Sequence, residues 1–189
     1  MLEFLLKLDT DLFLSLNSIN STFWDTVMWY ISATKTWFPL YLIVLFFVFK
    51  QQKRKGFISF FFMVLIVVIA DQSSVQLFKN TFQRLRPCHN EEIINLVHLV
   101  NNKCGGSYGF VSSHAANTFA FATFTSLLFY KKHISYLLIF WAVIVSYSRI
   151  YLGVHYPLDI IGGATLGFII GFSIFKIYKF AYTNNYKFS

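Results

Sequence analysis

Between Gly56 and Ala70 the chain carries no charged side chain, only aliphatic and aromatic residues with one serine among them. Nothing in the sequence constrains the fold more. A helix that is apolar all round must be covered by protein or by lipid on every side. This run belongs to the first of four clear apolar stretches, which extend from Phe57 to about Phe78, Ala115 to Tyr130, Ile134 to about Ser146 and Ile160 to about Tyr178. A fifth runs from Trp37 to Phe49 and starts at Pro39, which a first helical turn tolerates. That run is short for a hydrocarbon core of about 30 Å. It is therefore expected to extend back through Val27, Met28 and Ile31, or to cross where the bilayer thins.

Composition points the same way. Of 189 residues 56% are hydrophobic, 21% aromatic and only 13% charged, more apolar surface than a soluble domain of this size can hide. The expected fold is all-α, a polytopic membrane helical bundle of five to six transmembrane helices in a single domain over residues 1–189. An interfacial N-terminal helix is expected from MLEFLLKLDTDLFLSLN, whose Leu and Phe recur at helical spacing but are interrupted by Lys7, Asp9 and Asp11. The segment lacks the basic start and small-residue cleavage site of a signal peptide. Whether it adds a sixth crossing stays open.

A net charge of +8 in a soluble protein would suggest nucleic acid as a partner. Here the basic residues gather at the ends of apolar runs, so the expected partner is the lipid bilayer and not nucleic acid. Lys50, Lys53, Arg54 and Lys55 form one cluster, Lys131 and Lys132 a second, and Lys176, Lys179 and Lys187 a third. The positive-inside tendency places all three in the cytoplasm. By alternation, the stretch from about Asn80 to Ser113 and the segment from Arg149 to Asp159 lie on the outer side.

Those two segments hold the polar chemistry. Lys79, Arg86 and Arg149 are basic residues that topology does not explain, and three cations converging from different helix ends suit a phosphate group. Any one of them alone reads more simply as snorkelling to headgroups. His155 and Asp159 stand one helical turn apart, before the last apolar helix, so the carboxylate can fix the imidazole tautomer and leave one nitrogen as nucleophile or base. His114 follows Ser112 and Ser113 at the start of another span, where a serine cap and outward N–H groups make an anion site.

With these residues in place, the sequence resembles the type 2 phosphatidic acid phosphatase (PAP2) superfamily, over a motif core from Lys79 to Asp159. The first motif, Lys, six residues, Arg-Pro, is met by Lys79, Arg86 and Pro87. The third, Ser-Arg, five residues, His, three residues, Asp, is met by Ser148, Arg149, His155 and Asp159. The second, usually Pro-Ser-Gly-His, reads Val111, Ser112, Ser113 and His114, keeping the Ser and His and losing the Pro and Gly. The resemblance implies a helical lipid phosphatase in which His155 attacks phosphorus, Asp159 orients it and His114 protonates the leaving group. Lys79, Arg86, Ser112, Ser113 and Arg149 would hold the phosphoryl oxygens, with no metal or other cofactor. Ser113 in place of Gly would either crowd the oxyanion or donate one more hydrogen bond, and its small size favours the second.

Three features complete the reading. Cys88 and Cys104, the only cysteines, fall in the same outer stretch and are expected to pair in an oxidising compartment, holding the loop near Arg86 and His114. His89 and His98 lie nearby without a zinc-ligand spacing. Asp71 sits inside an apolar run, eight residues before Lys79, where it would tune that lysine or pack against another span. The expected activity is hydrolysis of a membrane lipid phosphate at the outer face of a bacterial inner membrane, with undecaprenyl diphosphate the first choice. Lipid A and phosphatidylglycerol phosphate or phosphatidic acid are rivals. A phospholipid-binding or transport protein is the non-enzymatic alternative, and a vanadate-dependent haloperoxidase is disfavoured by the spans.

Overall fold

The computed structural model describes residues 1–184, so Lys187 of the third basic cluster lies outside it. Two helices, α1 (Leu2–Asn17) and α2 (Thr22–Ser32), precede a hairpin of α3 (Phe38–Gln52) and α4 (Gly56–Ser73). The hairpin reverses at Lys53, whose φ is 50°, and Phe49 meets Phe57 across the turn with ring centroids 5.0 Å apart. α4 continues through a π-helical turn, Ser74–Lys79, into the short α5 (Asn80–Phe82). A long irregular loop then leads to α6 (Ser113–Phe129), α7 (Lys132–Tyr151) and α8 (Pro157–Asn184). Among the described residues three stretches are long and apolar enough to cross a membrane: Thr34–Phe82, which contains α3 and α4, Lys132–Tyr151, and Pro157–Ala181.

Val27, Met28 and Ile31 do not extend the fifth apolar run. They belong to α2, which ends at Ala33 with ψ of 121° before a 3-10 turn over Thr34–Trp37. The Trp37 indole N–H donates to the Ile31 carbonyl at 2.7 Å and so secures the corner. The break aims Ser32 inward, where it matters below.

α6 is the central element and packs against α4, α7 and α8. Its Ala116, Ala120, Ala122 and Phe124 have no exposed surface. α8 meets it with Gly163, Gly167 and Gly171, which share one helical face. A Cβ at these glycines would stand 2.5 Å from the Ser112 carbonyl oxygen, 2.3 Å from that of Ala116 and 2.6 Å from that of Ala120. Backbone lies against backbone, the close approach that small residues permit between membrane helices. On the far side of α6, Tyr41, Phe121 and Trp141 fill the core in edge-to-face pairs. Outward-facing Phe46, Phe61, Phe140, Phe168 and Ile169 are exposed, as side chains that meet lipid are.

In α1 the apolar residues Leu2, Phe4, Leu5, Leu8 and Leu12 are exposed, and the face that packs on the protein is Asp9, Phe13 and Asn17. Asn17 ties three segments together. Its amide donates to the carbonyls of His98 at 3.0 Å and Tyr151 at 2.9 Å, and its oxygen accepts from the His98 N–H at 2.7 Å.

The long loop closes at a narrow neck. The Arg86 N–H donates to the Ser107 carbonyl at 3.0 Å and the Gly109 N–H to that of Arg84 at 2.8 Å. Beyond the neck a disulfide joins Cys88 to Cys104, Cα atoms 5.9 Å apart. The excursion is thus pinned twice, and the neck delivers Arg86 and Gly109 to the same place.

Candidate active site

His155 leaves the end of α7 on a tight turn: Gly153, at φ +79°, lets the chain pass within van der Waals distance of the His98 carbonyl. Pro157 then starts α8 and places Asp159 in its first turn. The His155 Nδ1 lies 3.2 Å from Asp159 Oδ2. The same carboxylate oxygen accepts from the Tyr156 N–H at 3.0 Å, and neither His155 nor Asp159 is exposed by more than 1%. Gly109 covers the pair, and a Cβ there would stand 2.8 Å from Asp159 Oδ2.

The other imidazole nitrogen fixes the tautomer. His155 Nε2 is 3.3 Å from Arg86 Nη1. A guanidinium only donates, so Nε2 is the acceptor and the ring proton sits on Nδ1, donated to Asp159. Nε2 therefore presents a lone pair beside Arg86. Burial pushes the His155 pKa well below the usual histidine value, and the charges of Arg86, Arg149 and Lys79 push it further, with a partial offset from a hydrogen bond to the Gly109 backbone. Burial likewise lowers Arg86, with Asp159 opposing. Arg86 is anchored to the carbonyls of Tyr108 at 3.3 Å and Val154 at 3.4 Å.

The remaining predicted residues close the site. Ser112 caps α6 and its hydroxyl accepts from the Ala115 N–H, while the Ser112 N–H donates to the Asp159 carbonyl at 2.9 Å. His114, in the first turn of α6, lies within electrostatic reach of Arg149, His155, Arg86 and Lys79. Arg149 in the last turn of α7 donates to the Ser32 hydroxyl, and its buried Nε has no partner. The structure thus brings all eight expected residues to one end of the bundle, with the disulfide beside them.

One expectation is altered. The Ser113 hydroxyl accepts from Lys79 Nζ at 2.7 Å and bonds Ser74 Oγ at 2.6 Å, so it holds the lysine and does not point a free donor at an oxyanion. Asp71 accepts from the Asn117 amide of α6 at 3.3 Å, the contact with another span that was one of its two expected roles. The π-helical turn between Asp71 and Lys79 shifts the register that an eight-residue spacing assumes. His89 and His98 are engaged with the Gly105 carbonyl and with Asp25.

Sequence reasoning missed Arg84, Asp9, Ser74 and Ser32. Arg84 Nη1 lies 3.0 Å from Asp159 Oδ1 and its Nη2 2.7 Å from Asp9 Oδ2. A signal for it was present, because Arg84 is one more basic residue in the stretch where charge asymmetry disfavours them. Ser74 and Ser32 carry no such signal.

Comparison with known proteins agrees with this geometry. The sequence model of the PAP2 superfamily matches residues 56–182. A lipid A 4'-phosphatase from Porphyromonas gingivalis is 38% identical over 183 residues, covering 95% of this chain and 77% of that protein. An undecaprenyl-diphosphatase from Sulfolobus acidocaldarius is 35% identical over 136 residues, 72% of this chain and 60% of that one. Among solved structures, the transmembrane PAP2 type phosphatidylglycerolphosphate phosphatase of Bacillus subtilis superposes with a TM-score of 0.70 at 24% identity, over 93% of this chain and 86% of that one, a likeness of fold. With its motifs gathered around His155 and Asp159 and its helices long enough to span a bilayer, the chain belongs to the PAP2 superfamily, as an integral membrane phosphatase.

Proposed function

We propose that this protein removes a phosphate group from a lipid A-type glycolipid through a phosphohistidine formed on His155. Undecaprenyl diphosphate, the first choice from sequence, gives way here. The lipid A 4'-phosphatase of P. gingivalis is similar along 95% of this chain, whereas the undecaprenyl-diphosphatase is similar along 72%. The observation that carries the chemistry is the orientation of His155: proton on Nδ1 toward Asp159, lone pair on Nε2 beside the cations.

In the reaction Nε2 attacks phosphorus as the ester P–O bond breaks, and the leaving oxygen takes a proton from His114. Lys79, Arg86 and Arg149 hold the equatorial oxygens in place of any neutralising solvent, joined by the N–H groups at the start of α6. The unpartnered Arg149 Nε is a donor that a phosphate oxygen would satisfy. Water then attacks phosphorus, giving a proton to His114, and the P–N bond breaks with its electron pair returning to Nε2, which releases phosphate and restores His155. α3, α4, α6, α7 and α8 act as five crossings, and α1 lies in the interface. The site opens on the face opposite the basic turns at Lys53–Lys55 and Lys131–Lys132, at the outer side of a bacterial inner membrane.

The test is phosphate release by the detergent-purified protein from a panel of lipid A, undecaprenyl diphosphate, phosphatidylglycerol phosphate and phosphatidic acid. Lipid A is expected to be turned over fastest, and His155→Ala to abolish release from every lipid. Equal release by wild type and variant would sink the mechanism. Tight lipid binding without release by wild type would favour a binding protein instead.

A further inference from the structure

Outside the phosphate-binding groups, one buried charge cluster includes two residues, Arg84 and Asp9, that have no part in the reaction described above. Arg84 lies between two carboxylates, Asp159 on α8 and Asp9 on α1, at 3.0 and 2.7 Å. Both acids are buried, Asp159 fully and Asp9 to 4% exposure, and Arg84 itself is largely covered. Asp9 spends its second oxygen on the Leu158 N–H at 2.9 Å, a free donor in the first turn of α8. The Arg84 guanidinium stacks on the Tyr156 ring with its central carbon 4.0 Å from the centroid, and Phe13 of α1 backs the same ring at 5.3 Å. The fixed end of this chain of contacts is the backbone at the loop neck, where the Arg84 carbonyl accepts from Gly109.

Arg84 is in no position to hold phosphate. Its terminal nitrogens are occupied by carboxylates, and it takes Asp159 Oδ1 while His155 takes Oδ2, so the carboxylate separates guanidinium from imidazole. The arrangement acts on Asp159 alone. A carboxylate without solvent keeps its charge only beside a cation. Were Asp159 to take up a proton, it would donate to His155 Nδ1, and the imidazole proton would move to Nε2, where it would block the lone pair that faces phosphorus. Lys79, Arg86 and Arg149 approach the dyad from the side of His155, and they are the groups a bound phosphate neutralises. Arg84 is the cation left to Asp159 once substrate is present.

We propose that Asp9 and Arg84 are positioning residues of this phosphatase: Arg84, held in place by Asp9 of the N-terminal helix, keeps Asp159 anionic and so keeps the His155 proton on Nδ1. The proposal rests on the reading of His155 as the nucleophile. It makes α1 part of the catalytic apparatus, through a single aspartate on the face that its leucines leave to the protein.

Three variants and two measurements test it. In Arg84→Met, kcat is expected to fall on the order of 100-fold with KM within about threefold of wild type, the pattern of lost transition-state stabilisation. Arg84→Lys, which keeps the charge, should recover roughly a tenth of wild-type kcat, and Asp9→Asn should lose about tenfold. Nitrogen-15 NMR of histidine-labelled protein in detergent, saturated with inorganic phosphate to engage the Arg86 guanidinium and with the His155 signals identified by their absence in His155→Gln, reads the tautomer without turnover. Wild type should show Nδ1 protonated, and Arg84→Met a shift of the proton toward Nε2. An unchanged tautomer in Arg84→Met, whether activity holds or falls with thermal stability, overturns the proposal by making the cluster a structural clamp. A raised KM at wild-type kcat overturns it by making Arg84 a substrate ligand. Because the spectra need no turnover, a wild type inactive on every lipid phosphate would count against the proposed function while the tautomer still decides the role of Arg84.

Discussion

A histidine with almost no exposed surface and three cations about it binds a proton poorly, whereas the same side chain in an unfolded chain takes one near pH 6.5. Since the folded pKa lies below the unfolded one, the unfolded state binds more protons below about pH 6.5, and folded stability drops as the pH falls through that region. Wild type should therefore lose more thermal stability between pH 7 and pH 5 than His155→Gln, whose side chain does not titrate; equal losses would mean His155 is protonated in the fold. At this scale much was legible. The one-turn spacing of His155 and Asp159, and the excess of cations in segments that charge asymmetry disfavours, are properties of the sequence itself. Arg84 and Asp9 were harder to see. Arg84 stands two residues from Arg86, and which of two neighbouring arginines faces the His155 Nε2 depends on the loop neck. Asp9 interrupts a run of leucines and reads as solvated until α1 is docked.

Among the elements, α6 and α8 decide whether His114 and the His155–Asp159 pair face each other. Their separation is set by Gly163, Gly167 and Gly171, where no side chain fits. Gly167→Ala would force a methyl to within 2.3 Å of the Ala116 carbonyl oxygen, backbone that cannot turn aside. It should cost about 1–3 kcal/mol and lower activity by spreading the helices. Gly106→Ala, with nothing within 4 Å of the new methyl, is the matched control and should change neither. Melting curves and phosphate release on the two variants check this. The helices themselves were readable from apolar runs, because lipid and core both demand continuous hydrophobicity. Two local breaks were not. The corner at Ala33 carries neither proline nor glycine, and the π-helical turn before Lys79 has no residue type that encodes it. Both follow from what the chain must reach: Ser32 toward Arg149, and Lys79 toward Ser113.

For the whole molecule, the bilayer was implied by composition, whereas the docking of α1 and α2 beside the site depends on long-range contacts such as those of Asn17 that no local pattern announces. The disulfide works at this scale too, since it joins the stretch after the first motif to the stretch before the second. Replacing both cysteines by serine should lower stability by roughly 3 kcal/mol, the value for closing a loop of about this length. It should weaken substrate binding more than it slows turnover, because Arg86 lies just before Cys88 while His155 is held from elsewhere. A melting temperature indistinguishable from wild type would show that the neck alone fixes the loop. The contact between Arg86 and His155 carries one more consequence. The Nε2 lone pair of His155 accepts an N–H of Arg86, and that N–H cannot serve nitrogen and a phosphate oxygen at once. On the proposed mechanism, a phosphate oxygen that takes this N–H would free the nitrogen to attack. Binding and unmasking would then be a single event, and His155 would react only with a ligand that Arg86 prefers to it.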